Sequence, residues 1–277
     1  MRPHSLSYLL AGSFHRLAWT EWGPPEGAPV LCVHGLTRNG RDFDPLAEAL
    51  AARGRRVLCP DLPGRGRSDW LGVPALYTPP SYVAALSYLL ARLDGPVDWV
   101  GTSLGGICAM LVAAAPGNPI RRLVLNDIGA QIPQAALARI RDYMGAAPPR
   151  FANLGEVQAY LERVHAPFGP GTDWAHLALH SARALPEGGL ALHYDPAIAA
   201  PILASEPVEA DLSGIWALNT SPTLLLRGAE SDLLTASTAR AMAGRPGVEL
   251  REFAGCGHAP SLTAADQVAA IRHFLVM

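Results

Sequence analysis

The first half of the chain alternates between short apolar runs and longer segments whose apolar residues recur at helical spacing. The short runs, each apolar enough to form a strand buried on both faces, are residues 30–33, 57–59, 97–100 and 123–125. The segments with helical spacing are residues 43–53, 81–93 and 104–115. Strands that alternate with helices pair in parallel, and the helices cover both faces of the sheet. The pattern therefore predicts an α/β fold with a mostly parallel central sheet.

The two ends of the chain follow other patterns. Segments 7–10 and 16–21 are separated only by a short stretch that begins Ala-Gly-Ser-Phe, so we expect them to pair as an antiparallel hairpin. Near the carboxyl end, segments 223–226 and 249–253 resume the strand pattern, and segment 264–275 has the spacing of a closing helix.

The middle of the chain, residues 131–213, reads as mainly helical and shows no clear buried strand. A helical block between two stretches of strand–helix pattern is typical of an insertion into an α/β core. We therefore predict a core of residues 1–130 and 214–277, with residues 131–213 forming an inserted helical cap.

Composition narrows the possible functions. The chain has 277 residues, 49% hydrophobic and 17% charged, which is typical of a folded globular protein. The formal net charge of -2 provides no excess of positive charge for a nucleic acid. All 22 basic side chains are arginine, which excludes chemistry that needs a lysine amine, such as a Schiff base.

Compartment and membrane signals are weak. No apolar run approaches the roughly 20 residues of a membrane span, and His15 and Arg16 interrupt the apolar stretch that a signal peptide would need. The four cysteines form no Cys-x-x-Cys pair and are expected to be reduced thiols: Cys32, Cys59, Cys108 and Cys256. A cytoplasmic location follows as an expectation.

The strongest chemical motif is Gly101-Thr-Ser103-Leu-Gly105, which lies between a predicted strand and a predicted helix. A serine on such a sharp turn is held in a strained conformation with its hydroxyl exposed. Glycines on either side remove Cβ atoms that would clash in the turn. The positive end of the following helix also favours a negatively charged oxygen nearby. Ser103 is therefore the candidate nucleophile.

A second motif, His34-Gly35-Leu36, follows the first buried strand. Loops at the carboxyl ends of central parallel strands line one crevice, so the N–H of Leu36 can meet the N–H of Leu104 there. Two such donors would form an oxyanion hole. His34 lies upstream of the nucleophile, and we expect it to be a structural hydrogen-bonding residue rather than a base.

A late histidine, His258, follows the last predicted strand and is flanked by glycines, which makes it the candidate general base. Its acid partner is expected between Ser103 and His258 in the sequence. Asp232, just after a buried strand, is the preferred candidate, and Glu230 is a nearby alternative. A carboxylate in this role accepts a hydrogen bond from the imidazole and stabilises the imidazolium.

Taken in order, these motifs resemble the α/β-hydrolase fold family over essentially the whole chain. They include a further segment, Asp61-Leu-Pro-Gly-Arg-Gly-Arg-Ser-Asp69, after the second buried strand. The resemblance implies about eight strands and a helical cap inserted after the sixth. It also implies that Ser103, His258 and Asp232 form a catalytic triad, with Leu36 and Leu104 as the oxyanion hole.

One alternative stays open for the acid. Asp127 ends the strand after the nucleophile helix, and some members of the resembled family take their acid from that position. We favour Asp232, since Asp127 can also cap a turn. Members with an aspartate nucleophile are excluded because Ser103 occupies that position.

The resemblance implies hydrolysis of a small to medium carboxylic ester, with a small molecule as partner and no cofactor. Hydrolysis of a carbon–carbon bond in a diketone-type substrate with the same triad is the nearest alternative. A ligand receptor with slow or no turnover is the alternative from another class. His176 and His180 are four residues apart, but no third ligand is apparent, so no metal is expected. The sequence leaves the oligomeric state open.

Overall fold

The computed structural model describes residues 1–146 and 149–276, with the side chain of Ala166 left out. An eight-stranded sheet forms its centre, in the order β1-β2-β4-β3-β5-β6-β12-β13. The strands of this sheet are β1 (Arg2–Leu10), β2 (Ser13–Trp22), β3 (Pro29–Val33), β4 (Arg56–Pro60), β5 (Val97–Thr102), β6 (Ile120–Asn126), β12 (Thr223–Gly228) and β13 (Val248–Phe253). From β4 to β13 all neighbours are parallel, whereas β1 and β2 run antiparallel to each other and β2 to β4. The α/β class and the eight strands are confirmed.

Helices cover both faces of the sheet. Those of the core are α1 (Asp44–Ala51), α2 (Pro79–Leu90), α3 (Leu104–Ala113), α8 (Ser213–Leu218), α9 (Ala236–Ala243) and α10 (Ala265–Val276). Short 3₁₀ turns occur at Gly40–Phe43, Pro74–Leu76, Ala166–Phe168 and Pro196–Ala199. Residues of β3 alternate between two apolar clusters: Leu31 and Val33 face one, Val30 and Cys32 the other. Burial on both sides explains why these strands appear as continuous apolar runs.

The N-terminal hairpin is longer than the sequence predicts. Leu10 pairs with Ser13, so only Ala11 and Gly12 form the turn, both with positive φ. Two central residues with positive φ give the tight turn that suits the twist of antiparallel strands. Ser13 and Phe14 therefore belong to β2. The expectation of a longer connection was wrong because residues 13–15 lie at the exposed end of the hairpin, where burial imposes no alternation of apolar and polar residues.

The middle block contains four α-helices among its described residues: α4 (Gln134–Gly145), α5 (Leu154–Val164), α6 (Trp174–Ser181) and α7 (Ala200–Leu203). It also contains short strands that the sequence did not predict: β7 (Gln131–Ile132), β8 (Arg150–Phe151), β9 (Ala182–Ala184), β10 (Leu190–Leu192) and β11 (Ala210–Asp211). Strands of two or three residues are too short to produce a recognisable period.

The two ends of this block meet, since β7 pairs with β11. An insertion whose first and last residues are neighbours can leave and re-enter the core at one point. This pairing favours the division at residues 131 and 213, which stays a prediction. Positions 147 and 148 of the predicted cap lie outside the described residues.

All four cysteines are free and buried, as expected. Within the described ranges, none of the helices has both the length and the apolar character required to cross a bilayer.

Candidate active site

The turn between β5 and α3 has the geometry that the motif predicts. Ser103 lies between the end of the strand and the first helical residue, with φ of 50° and ψ of -114°. Positive φ is uncommon for a residue with a side chain and costs backbone strain. Two hydrogen bonds hold the turn in place: the N–H of Ser103 donates to the carbonyl of Asn126 at 3.0 Å, and the N–H of Ile107 donates to the carbonyl of Ser103 at 3.0 Å.

The glycines of the motif permit close backbone packing. A Cβ atom on Gly105 would lie 2.0 Å from the carbonyl oxygen of Val33, and one on Gly101 would lie 2.5 Å from the carbonyl oxygen of Gly105. Neither position can hold a side chain without moving the backbone. This packing brings the loop after β3 against the first turn of α3, beside Ser103.

His258 lies between Ser103 and a carboxylate. Its Nε2 atom is 3.0 Å from Ser103 Oγ, and its Nδ1 atom is 2.7 Å from Oδ2 of Asp127. With Nδ1 protonated and donating to Asp127, Nε2 is free to accept the hydroxyl proton of the serine. The three side chains therefore form one continuous hydrogen-bonded chain.

Asp127 is fully buried at the end of β6, with φ of 54°. Besides His258, it accepts hydrogen bonds from the N–H of Gly228 at 2.9 Å and from Oγ of Ser231 at 2.5 Å. A buried carboxylate needs such donors to remain charged. Sequence reasoning missed Ser231, although it lies beside the acid chosen there.

The structure does not bring Asp232 to His258, contrary to the sequence expectation. Its carboxylate pairs with Arg139 through bonds of 2.7 and 2.9 Å, and its side chain is 51% exposed. β6 and β12 are neighbours, so Asp127 and the loop after β12 reach the same edge of the sheet. In that loop Ser231 faces inward, and Asp232 consequently points outward.

Glu230 contributes only its backbone to the site. Its N–H donates to the carbonyl of Cys256 at 2.8 Å, two residues before His258. The loop that carries His258 is also bound to the middle block, because the N–H of Gly257 donates to the carbonyl of Pro167 at 2.7 Å. Asn126 Nδ2 also donates to the carbonyl of Pro260 at 2.9 Å. The histidine loop is thus fixed by three separate segments.

His34 is a structural residue, as predicted. Its Nε2 accepts from the N–H of Leu62 at 2.9 Å, which leaves Nδ1 protonated to donate to the carbonyl of Gly35 at 2.7 Å. Burial lowers the pKa of His34 to about 3, against a smaller opposing effect of the Gly35 bond. The ring is therefore neutral and has both nitrogens occupied.

The loop that carries Leu36 is held against Ser103. A Cβ atom on Gly35 would lie 3.8 Å from Cβ of Ser103. The fully buried Arg65 donates from Nε to the carbonyl of Leu36 at 2.8 Å, and from Nη1 to Tyr82 Oη at 2.7 Å. Sequence reasoning did not single out Arg65, although it lies within the segment 61–69 that carried part of the resemblance.

A cavity of about 300 Å³ opens beside Ser103 and is lined by both proposed oxyanion residues, Leu36 and Leu104. Most of its wall is apolar and includes Ile107, Ile128, Ile132, Leu137 and Ile202. The charged side chains that line it are Arg141 and Glu206, which pair with each other at 2.8 Å. The cavity can take a small, mainly apolar molecule.

His176 and His180 lie away from this cavity, on α6, with ring centroids 4.5 Å apart. The expectation that no third ligand accompanies them was wrong: donor atoms of Asp44, His176 and His180 all lie within 4.8 Å of one another. Arg41, however, already pairs with the Asp44 carboxylate. Burial lowers the pKa of His180 to about 4. The group also joins α6 to the core, since Nε2 of His176 is 2.9 Å from the carbonyl of Arg41.

Two curated proteins are similar to this chain over most of its length. The 3-hydroxybutyrate-oligomer hydrolase of Cupriavidus necator is 43% identical over 274 residues, covering 94% of this chain and 92% of that protein. The pimeloyl-[acyl-carrier protein] methyl ester esterase of Xanthomonas campestris is 31% identical over 258 residues, covering 90% of this chain and 95% of that protein.

Among solved structures, an alpha/beta hydrolase from Novosphingobium aromaticivorans superposes with a TM-score of 0.86 at 36% identity, covering 99% of this chain and 98% of that chain. The family model described as "Alpha/beta hydrolase family" matches residues 30–271. These relatives are hydrolases, and the chain belongs to the alpha/beta hydrolase family.

Proposed function

We propose that this protein is a serine hydrolase that cleaves carboxylic esters by acyl transfer. The observation that carries the proposal is the continuous contact from Ser103 Oγ to His258 Nε2 at 3.0 Å and from His258 Nδ1 to Asp127 at 2.7 Å. A nucleophile that contacts a base, with the base oriented by a third group, is the arrangement that activates a serine hydroxyl.

In the proposed reaction, His258 removes the hydroxyl proton of Ser103 as Oγ attacks the ester carbonyl. The carbonyl oxygen becomes negative and accepts hydrogen bonds from the N–H groups of Leu36 and Leu104. His258 then returns the proton to the departing alcohol, which leaves an acyl-enzyme. A water molecule, deprotonated by the same histidine, releases the acid and restores Ser103.

Asp127 takes the role that the sequence assigned to Asp232. It holds the proton on Nδ1 of His258, which keeps Nε2 available to the serine, and it stabilises the imidazolium as this forms. The N–H of Gly228 and the hydroxyl of Ser231 support its negative charge without competing for the imidazole.

The substrate class is proposed from the cavity and the relatives. A volume of about 300 Å³ suits a small to medium molecule. The two curated relatives described above are named for the hydrolysis of 3-hydroxybutyrate oligomers and of a methyl ester. Oligomers of 3-hydroxybutyrate, which are linear esters with short branched units, are the proposed substrates.

Residues 131–213 act as a cap that selects among them, since Ile132, Leu137 and Ile202 line the cavity. The buried free thiols agree with a reaction in the cytoplasm.

The test combines covalent labelling with turnover. We expect a fluorophosphonate to label Ser103, and short p-nitrophenyl esters and the 3-hydroxybutyrate dimer to be hydrolysed. Ser103→Ala should fold normally, because it removes only one hydroxyl from a half-buried residue, and should lose turnover by several orders of magnitude. Labelling of Ser103 without turnover of any ester would favour a ligand receptor. Cleavage of a diketone instead of the esters, with the products identified by mass spectrometry, would favour carbon–carbon bond hydrolysis.

A further inference from the structure

The apolar cavity beside Ser103 contains one cationic side chain among the described residues that line it. Arg141 lies on α4, where it follows Leu137 and Ile140 at spacings of four and one residues. Leu137 and Arg141, four residues apart, lie on one face of the helix, and Ile140, three residues after Leu137, lies beside them. That face forms one wall of the cavity, so the guanidinium of Arg141 is presented to the same space as the nucleophile.

Glu206 binds Arg141 weakly, through one hydrogen bond close to solvent. Nη1 of Arg141 donates to Oε2 of Glu206 at 2.8 Å, and the side chains are 30% and 82% exposed. The contact is end-on, from one nitrogen to one oxygen. Arg139, two residues earlier on the same helix, instead donates two parallel hydrogen bonds to Asp232, from Nε and Nη2. Glu206 therefore leaves most of the donors of Arg141 available.

A guanidinium at an apolar wall attracts an anion more strongly than one in open solvent. The planar fork of arginine matches a carboxylate, and two parallel bonds to it are stronger than the single bond to Glu206. A ligand that brings its own carboxylate into the cavity can replace the exposed glutamate, which returns to water at little cost.

We propose that Arg141 binds a free carboxylate of the substrate, so that the preferred substrates are esters with a carboxylate at one end. The inference rests on the proposed esterase function and specifies its substrate class. Linear oligomers of hydroxy acids have this form, with one terminal carboxylate and internal ester bonds. Glu206 is then a counter-ion that competes with the substrate for Arg141.

The experiment compares two matched ester pairs. Both pairs are tested for turnover and for binding to Ser103→Ala. In the first, the 3-hydroxybutyrate dimer, whose carboxylate is on the alcohol side, is paired with its terminal amide. In the second, the p-nitrophenyl hemiester of glutaric acid, whose carboxylate is on the acyl side, is paired with p-nitrophenyl pentanoate. We expect kcat/KM to favour the anionic member of at least one pair. Arg141→Gln should reduce that preference by about 10- to 100-fold, mainly through KM, as expected for loss of a charged hydrogen bond. Glu206→Gln should increase it.

Arg139→Gln is the matched control, because it removes an arginine from the same helix that does not line the cavity, and it should keep the wild-type preference. Binding of the dimer and its amide to Ser103→Ala repeats the comparison without catalysis. If the wild-type protein hydrolysed none of the esters but Ser103→Ala still bound the anionic compound more tightly, the esterase proposal would be rejected and the carboxylate site at Arg141 would stand. The carboxylate site would be overturned if both members of each pair bound equally well. It would also be overturned if the preference for the anionic ester survived Arg141→Gln.

Discussion

Asp127 combines complete burial with three hydrogen-bond donors, from His258, Gly228 and Ser231. Moving this carboxylate would leave buried donors without a partner. The exposed Asp232 faces water and Arg139, and its charge is screened there. The two aspartates are thus distinguished by their surroundings and not by their distance along the chain.

This difference predicts opposite results for the same substitution. Asp127→Asn should lose turnover by about 10³- to 10⁴-fold, because an amide can donate to Nδ1 and favour the wrong tautomer, as it does in serine proteases. Asp232→Asn should stay within a few-fold of wild type, because it only weakens a surface ion pair. Steady-state kinetics on one p-nitrophenyl ester measures both.

Circular dichroism and thermal melting serve as controls that each variant is folded. An inactive Asp232→Asn enzyme together with an active Asp127→Asn enzyme would restore Asp232 as the acid partner of His258, as the sequence predicted.

The positions of the proposed nucleophile and base could be predicted because each lies in a local motif whose spacing indicates its geometry: Ser103 between glycines at a strand end, and His258 in a glycine-flanked loop. The acid was not, because β6 and β12 end side by side. Which of the two strand-end loops points a carboxylate at the imidazole depends on the turn conformation after each strand. Sequence order does not contain that information.

At the level of elements, the loop after β4 supports the loop after β3. Arg65 reaches from one to the other and donates to the carbonyl of Leu36, whose own N–H is the proposed oxyanion donor. The same guanidinium lies over the ring of Tyr82, with its carbon 4.8 Å from the ring centroid. Arg65 therefore restrains the backbone of Leu36 from outside the active site, through the carbonyl of the peptide that follows the proposed donor N–H.

Arg65→Lys should lower kcat more than it raises KM, by about tenfold, because a lysine cannot reach the same acceptors and the Leu36 peptide becomes less well oriented. It should also lower stability by about 1–3 kcal/mol through the unpaired buried acceptors. Kinetics and urea unfolding on the same preparation separate the two effects.

Tyr82→Phe is the control for that experiment. It removes an acceptor of Arg65 but leaves the bond to Leu36, so it should lose stability while kcat stays close to wild type. If both variants lost kcat equally, the effect would come from general loosening of the core and not from Leu36.

Elements buried on both faces were predicted best, because an apolar run such as β3 or β12 has few alternative structures. Elements with one exposed face, such as β1 and β2, were shortened at their ends. The small strands β8, β9 and β10 were missed entirely. Their pairing is decided by neighbours distant in sequence, so their formation depends on the assembled middle block.

For the whole molecule, the middle block does more than cover the cavity. The carbonyl of Pro167 accepts from Gly257, and the carbonyl of Phe168 accepts from Ser261, so both sides of His258 are held from this block. Docking of the block on the core therefore contributes to the position of the base. These few bonds link the proposed selection of substrate by this block to the position of His258.

The last prediction concerns stability against pH. Burial lowers the pKa of His34 to about 3 from its ordinary value of 6.5. Between these values the unfolded chain binds a proton that the folded protein does not. Stability is therefore lost as pH falls from about 6.5 towards 3, by up to about 1.4 kcal/mol per pH unit from this one group.

His34→Gln, which keeps a donor and an acceptor but cannot titrate, isolates this contribution. The variant should be less stable than wild type at pH 7, and the difference in free energy of unfolding should narrow as the pH is lowered to 4. His273→Gln, at an exposed position, should run parallel to wild type throughout, because its side chain meets solvent in both states. Urea unfolding at each pH provides the measurement. A constant gap between wild type and His34→Gln from pH 7 to pH 4 would mean that the folded protein takes up the proton at His34, and that the ring is not held neutral by its burial.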